Sequence, residues 1–170
     1  MTSEKKQNYK MWGLYVLFFL LVRLLQNGIL TKLPIADAVL YPLPMAAVCV
    51  SLWTGAEKGG LFCLVMGLLC GQESGVYGGL LLFPLVVCGV AGGWLCEAVF
   101  NRRMLAAILL CAASLIVCLG TEFLFRAWLL GANAGHLRIA LRQLFLTLPL
   151  APVLYLICKR IRKVGAQWIE

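Results

Sequence analysis

Long apolar runs constrain this chain more than any other feature. The first, residues 11–30, reads MWGLYVLFFLLVRLLQNGIL, and runs of similar character follow as far as residue 158. An apolar segment of about 20 residues crosses the hydrocarbon core of a bilayer as a helix. The chain is 62% hydrophobic and only 13% charged, whereas a soluble domain is about half apolar and about a quarter charged. These features predict an all-α integral membrane protein.

We predict one integral membrane domain over residues 1–170, a polytopic bundle of six transmembrane helices. The first run exceeds the length of a signal-peptide core, and no A-x-A-like cleavage site follows it, so we interpret it as a retained span. An even number of spans places both termini on the same side. The predicted spans are about 11–30, 38–54, 59–71, 78–100, 104–130 and 140–158.

The distribution of Lys and Arg predicts the orientation of this bundle. Cytoplasmic loops of membrane proteins carry an excess of both residues. Lys32, Arg138 and Arg142 fall on the side opposite the termini, and Arg23 and Arg126 fall within spans. The side of the termini is expected to be cytoplasmic, because it holds Lys5, Lys6, Lys10, Lys58, Arg102, Arg103, Lys159, Arg160, Arg162 and Lys163.

Three charged residues lie well inside predicted spans, away from the span ends, where charge is costly and often functional. Arg23 is placed about 18–20 Å from the cytoplasmic side and Glu122 about 27 Å, with Arg126 one turn further along. Since a long Arg side chain can snorkel, Arg23, Glu122 and Arg126 are expected to meet in the outer half of the bundle. Two interpretations remain: a charge cluster that fixes packing, or a site for a ligand or partner.

Glycines recur at four-residue spacing through the predicted third and fourth spans. Small residues at this spacing let helices approach closely. The third span is short, so the segment GQESG, residues 71–75, is expected to form a hairpin turn at the outer interface, where Gln72, Glu73 and Ser74 satisfy the irregular backbone. The predicted packing glycines are Gly67, Gly71, Gly75, Gly79, Gly89 and Gly93.

No set of residues with an enzymatic spacing stands out. The eight cysteines occur singly, mostly within apolar runs, which favours packing over disulfides or a metal site. Ser74 and His136 fall on the same predicted side, but no glycine-flanked serine at a helix start accompanies them. No catalytic residues, metal or cofactor are therefore predicted. The basic residues form no stripe with interleaved aromatics, so the expected environment is membrane lipid and not nucleic acid.

The run GLFCLVMGLLCGQESGVYGGLLLFPLVVCGVAGGWL resembles the central signature of the rod shape-determining protein MreD family. That signature is a glycine-punctuated span, a Ser-Gly turn and an apolar span ending in glycines before a basic loop. The segment LPLAPVLYLICKRIRK is similar to the last span of the family, and LLQNGIL to the first. The matching positions are Gly67, Ser74, Gly75, Gly79, Gly92, Gly93, Arg102, Arg103, Pro152, Tyr155 and Arg160.

The resemblance implies a non-catalytic scaffold subunit of the cell-elongation machinery in the bacterial cytoplasmic membrane. It also implies partners: an MreC-like single-span protein, an MreB-like actin and a RodA-type peptidoglycan synthase. An alternative remains open, the substrate-binding S component of an energy-coupling-factor vitamin transporter. Gly89 and Gly93 would then face a coupling subunit, and the Arg23, Glu122 and Arg126 cluster would lie near a ligand.

Overall fold

The computed structural model describes residues 3–30, 40–71, 78–100, 104–131 and 134–167. No strand occurs within these ranges, which confirms the predicted all-α class for this part of the chain. A 3-10 turn, Leu148–Leu150, joins the last two helices. The helices are α1 (Ser3–Leu25, continued by a π-helical turn, Gln26–Leu30), α2 (Leu43–Thr54), α3 (Ala56–Gly71), α4 (Gly78–Leu95, continued by a π-helical turn, Cys96–Phe100), α5 (Met104–Leu130), α6 (Ala134–Thr147) and α7 (Ala151–Gln167).

Three helical stretches are long and apolar enough to cross a membrane: Lys10–Gly28, Met104–Leu129 and Leu137–Val164. The last of these combines α6 and α7. With 12 residues, α2 is about 18 Å long, and with 16 residues, α3 is about 24 Å long. Both fall short of the roughly 30 Å hydrocarbon core. Three membrane-crossing helices are therefore supported, and the count of six spans stays a prediction.

α2 is the central helix of the bundle. Its residues 43–52 are all buried, as is typical of a helix that is apolar around its whole circumference. α1, α3, α4, α5 and α7 pack around it. The core of the bundle is therefore built around a helix that is too short to span the membrane alone.

Gly55 alone connects α2 to α3. Its φ of 90° lies in the region that glycine adopts without steric cost, so the chain reverses within one residue. α3 then runs antiparallel to α2, and a Cβ on Gly59 would stand 2.7 Å from the Cα of Ser51. The sequence predicts that the third span begins at residue 59, whereas α3 begins at Ala56 because this turn is so tight.

α4 is antiparallel to α3, as their contacts show. Gly60 at the start of α3 faces Val90, late in α4, and Gly67 faces Leu82, early in α4. On the other side of α3, the rings of Phe62 and Phe19 of α1 meet edge to face with centroids 5.6 Å apart. These contacts place α3 between α1 and α4.

Many large apolar side chains point away from the bundle. A water-soluble protein rarely exposes contiguous apolar surface on this scale, whereas a membrane-embedded bundle presents such side chains to lipid. This distribution agrees with the three helical stretches that are long and apolar enough to cross a membrane. Examples from several helices are Leu17, Leu24, Leu61, Leu68, Phe83, Trp94, Leu105, Leu109, Trp128, Phe145 and Val153.

Candidate functional site

Glu122 and Arg126, one turn apart on α5, form an ion pair. The Nη2 of Arg126 donates a hydrogen bond to the Oε1 of Glu122 at 2.6 Å. The acid precedes the base by four residues, which is the favourable order on a helix. The side chains are 48% exposed for Arg126 and 32% exposed for Glu122. The pair therefore lies on the surface of the bundle and not in its core.

Arg23, the third residue of the predicted cluster, contacts the backbone of α3. Its Nη1 donates a hydrogen bond to the carbonyl oxygen of Leu69 at 3.1 Å. Leu69 lies in the last turn of α3, where carbonyl groups lack partners in the helix and carry partial negative charge. Arg23 thus ties α1 to the end of α3. Sequence reasoning missed this acceptor because it compared charged side chains only.

The predicted outer turn, Gln72, Glu73 and Ser74, lies outside the described residues, as does Gly75. Its flanks are described: α3 ends at Gly71 and α4 begins at Gly78. Because these two helices are antiparallel, the end of α3 and the start of α4 lie at the end of the bundle where Arg23 contacts α3. Gly71 and Gly79 are the helical residues nearest to the predicted turn among the predicted packing glycines.

The glycines deeper in α3 and α4 allow close contact between the two helices. A Cβ on Gly67 would stand 2.6 Å from the Cδ1 of Leu82, and one on Gly93 would stand 2.7 Å from the backbone nitrogen of Ala56. A Cβ on Gly89 would collide with the Sγ of Cys63. At Gly93 a larger residue would meet backbone atoms and force the helices apart, whereas at Gly67 and Gly89 it would first displace the side chains of Leu82 and Cys63.

A small polar contact lies where α2, α3 and α4 cross. The hydroxyl of Ser51 donates to the carbonyl oxygen of Ala47 at 3.2 Å, and its Oγ lies 3.5 Å from the Sγ of Cys63. A Cβ on Gly59 would stand 2.6 Å from that Oγ. Sequence reasoning did not single out Ser51 or Gly59, although the pair Gly59-Gly60 at the start of α3 is a signal for close packing.

Buried thiols join α2 to α5. The Sγ atoms of Cys49 and Cys111 lie 3.6 Å apart, and the thiol of Cys111 is also 3.9 Å from the carbonyl oxygen of Met45. Both cysteines are fully buried. Across the described ranges, no group of three or more His, Cys, Asp or Glu side chains is arranged to hold a metal ion. The thiols fill the interface between these helices.

The opposite end of the bundle carries an aromatic and basic contact. The rings of Trp53 and Tyr155 stack with centroids 5.7 Å apart and 28° between their planes. The Cζ of Arg162 lies 5.0 Å above the Trp53 ring, within the range of a cation–π interaction. This contact joins the end of α2 to α7. Sequence reasoning assigned Arg162 only to the cytoplasmic charge excess.

Glu97 approaches the turn between α2 and α3 from the end of α4. A Cβ on Gly55 would stand 2.6 Å from the Oε1 of Glu97. Since α3 begins at Ala56, the carboxylate lies near the partial positive charge of a helix N-terminus. Glu97 thus stabilises the tight turn that sets α3 against α2.

The geometry of the described residues therefore shows a closely packed helical frame with one surface ion pair, one arginine on a helix end and one cation–π contact. Scans against protein-family models, curated proteins and solved structures match nothing.

Proposed function

We propose that the chain is a non-catalytic membrane scaffold subunit of the bacterial cell-elongation machinery, similar to the MreD family. In this proposal six helices lie in the cytoplasmic membrane with both termini in the cytoplasm. The bundle links an MreC-like single-span protein with peptidoglycan synthesis by a RodA-type synthase, and an MreB-like actin lies on the cytoplasmic side. The sequence resemblance supplies the identity of these partners.

The distribution of basic residues supports the proposed orientation. Lys58 is exposed in the first turns of α3, and Lys159 and Lys163 are exposed near the end of α7. The contact of Arg162 with Trp53 places these two helix ends at the same end of the bundle. Because cytoplasmic surfaces are enriched in Lys and Arg, we assign this end to the cytoplasm. The opposite end, where α5 ends and α6 begins, is called the outer end below.

The close packing of α2, α3 and α4 is the observation that carries the proposal. Gly59 packs against Ser51, and Gly93 packs against Ala56. A Cβ added to either glycine would contact backbone atoms of the facing residue. A scaffold needs a rigid frame, which small residues at helix crossings provide, whereas a ligand carrier needs room between its helices. Gly89 and Gly93 are engaged within the chain, so they favour the scaffold over an S component that would offer them to a coupling subunit.

Depletion of the chain in its bacterial host tests this proposal. We expect rod-shaped cells to become round and to recover when the wild-type chain is restored. Ser74→Ala and His136→Ala should restore the rod shape equally well, because the proposed role uses no nucleophile. Immunoblots of each variant control for the amount of protein. Cells that remain rods after complete depletion would overturn the proposal.

A further inference from the structure

α7 has two distinct sides. The helix points away from the outer end of the bundle and finishes at the end that we assign to the cytoplasm. One side packs against the bundle: Leu154 and Tyr155 are buried, and Arg162 lies over the ring of Trp53. At 3.6 residues per turn, the exposed residues share the other half of the helix circumference, which we call the exposed side of α7. They are Val153, Leu156, Ile157, Lys159, Arg160, Lys163 and Val164.

The chemistry of the exposed side of α7 changes along the helix axis. Its first half is apolar, with Val153 55% exposed and Leu156 49% exposed, and belongs to a stretch that is long and apolar enough to cross a membrane. Its second half is basic, because Lys159, Arg160 and Lys163 follow within two turns. Long cationic side chains at the end of an apolar helix reach the membrane interface. These cations are therefore expected at the level of the phospholipid headgroups.

The basic half of this side carries positive charge that the protein does not neutralise. No carboxylate among the described residues forms an ion pair with Lys159, Arg160 or Lys163. Lys58 of α3 lies at the same end of the bundle, but it directly follows the exposed Glu57, so these two charges of α3 cancel. α7 therefore offers an anion a concentration of positive charge that the start of α3 lacks.

The helix dipole explains only part of this cluster. Cations stabilise the C-terminal end of a helix, and the effect is confined to the last turn. α7 ends at Gln167, so Lys159 and Arg160 lie about two turns before its end. An anion outside the protein accounts better for their position.

We propose that the exposed side of α7 binds an anionic phospholipid of the cytoplasmic leaflet, of which phosphatidylglycerol is the simplest kind. The phosphate of the lipid pairs with Lys159, Arg160 and Lys163, and its acyl chains lie along Val153 and Leu156. The order along the helix, apolar and then cationic, complements a phospholipid from its acyl chains to its headgroup. An acidic cytoplasmic protein would use the cations but not the apolar half. The inference goes beyond the proposed role in cell shape and requires only that α7 lies in the membrane.

Photo-crosslinking in reconstituted vesicles tests the preference for anionic lipid. The purified chain carries a benzophenone amino acid at position 156, or at position 61 as the control, since Leu61 is 65% exposed near the start of α3. The vesicles contain phosphatidylglycerol and phosphatidylethanolamine with the same acyl chains, and mass spectrometry counts the adducts with each lipid. Each cation near an anionic surface raises the affinity about fivefold. We expect phosphatidylglycerol adducts to be enriched at least about fivefold over the vesicle composition at position 156, and not at position 61. Equal ratios at the two positions would overturn the proposal.

Removal of charge tests which side chains select the lipid. Lys159→Gln, Arg160→Gln and Lys163→Gln together should return the adduct ratio at position 156 to the vesicle composition. Lys159→Arg, Arg160→Lys and Lys163→Arg together retain the charge and should retain the enrichment. Lys58→Gln removes a cation from α3 at the same end and should leave the ratio at position 156 unchanged. Thermal unfolding midpoints control for folding. Persistent enrichment in the folded Gln variant would contradict the proposal.

Two further measurements separate a membrane lipid from other anions. Glycerol phosphate supplies the phosphate without acyl chains, so an excess of it should leave the enrichment at position 156 unchanged. Loss of the enrichment would indicate a site for soluble phosphate and overturn the proposal. In native membranes, position 156 should give adducts with lipid, and a protein as the main adduct would equally overturn it. A lipid on this exposed side exchanges with the bilayer, so it differs from the enclosed ligand of a vitamin carrier.

The two proposals fail in distinguishable ways. Round cells on depletion, together with no enrichment at position 156, would retain the scaffold role and reject the lipid site. Charge-dependent enrichment, together with normal rods on depletion, would retain the lipid site and reject the role in cell shape.

Discussion

Gly93 of α4 stands directly against Ala56 at the start of α3: a Cβ on Gly93 would lie 2.7 Å from both the nitrogen and the Cα of Ala56. Backbone atoms cannot rotate away as a side chain can, so any larger residue must displace a helix. We expect Gly93→Leu to destabilise the fold by about 3 kcal/mol, at the upper end of typical overpacking costs. The measurement is the thermal unfolding midpoint of the purified protein in detergent.

Gly120→Leu is the matched control for that substitution. Gly120 is also helical, but a Cβ there meets nothing within 4 Å. Both changes replace glycine by a good helix former, so they differ mainly in the space available. The Gly120 variant should unfold near the wild-type midpoint. Identical midpoints for the two variants would contradict the close contact at Gly93.

Arg23 should stabilise the bundle through its contact with the end of α3. Removing the donor with Arg23→Met leaves the carbonyl oxygen of Leu69 without this partner. A hydrogen bond to a charged group contributes about 1.5–3 kcal/mol, so the unfolding midpoint should fall. Arg23→Lys retains a charged donor and should recover part of the loss. Equal stability of the Met variant and the wild type would argue against the contact.

The Glu122–Arg126 pair should show measurable coupling. A double-mutant cycle with Glu122→Gln and Arg126→Gln is expected to give about 0.5 kcal/mol in detergent, because the side chains are partly exposed and lie one turn apart. Strictly additive losses would show that the pair is not formed. The same cycle between Arg23 and Glu122 tests whether all three charges act as the cluster that the sequence predicts.

Cys49 and Cys111 should form a disulfide when the membrane is treated with a diffusible oxidant such as iodine. Their Sγ atoms are 3.6 Å apart and need to approach to about 2.05 Å. Cys158→Ala is used as the background, because Cys158 is a third buried cysteine of the same core cluster. Peptide mass spectrometry should find the Cys49–Cys111 link. Recovery of both thiols fully alkylated would contradict the packing of α2 against α5.

The proposed orientation predicts the pattern of labelling by an impermeant thiol reagent in intact cells. In a variant freed of its native cysteines, single cysteines at positions 160 and 163 should be protected. Cysteines at positions 73 and 134 should react, because the proposal places them on the outer side. Reaction at position 160 from outside would reverse the orientation.

The presence of helices and their close packing at glycines could be predicted from the sequence, because both depend on local patterns. The apolar runs predict helices, and α4 and α5 begin at residues 78 and 104, where the sequence places them. The four-residue spacing of Gly89 and Gly93 predicts a close contact without naming its partner. That partner, Ala56, is set by the reversal at Gly55, which depends on a single backbone conformation and leaves no periodic signal.

The polar contacts were harder to predict from the sequence, because the arginines involved do not contact charged side chains. Arg23 binds a backbone carbonyl oxygen, and Arg162 lies over the ring of Trp53. Neither partner is marked by sequence spacing, because each contact joins helices that are distant along the chain. Glu122 and Arg126 are the exception, because both lie on one helix at i,i+4.

Native mass spectrometry of the complex released gently from the membrane tests the central claim most directly, because a scaffold holds proteins and a carrier holds a ligand. The scaffold account predicts that the chain is released together with at least one other membrane protein and without a stoichiometric small molecule. A chain that carries one vitamin-sized molecule per copy, and no protein partner, would contradict it.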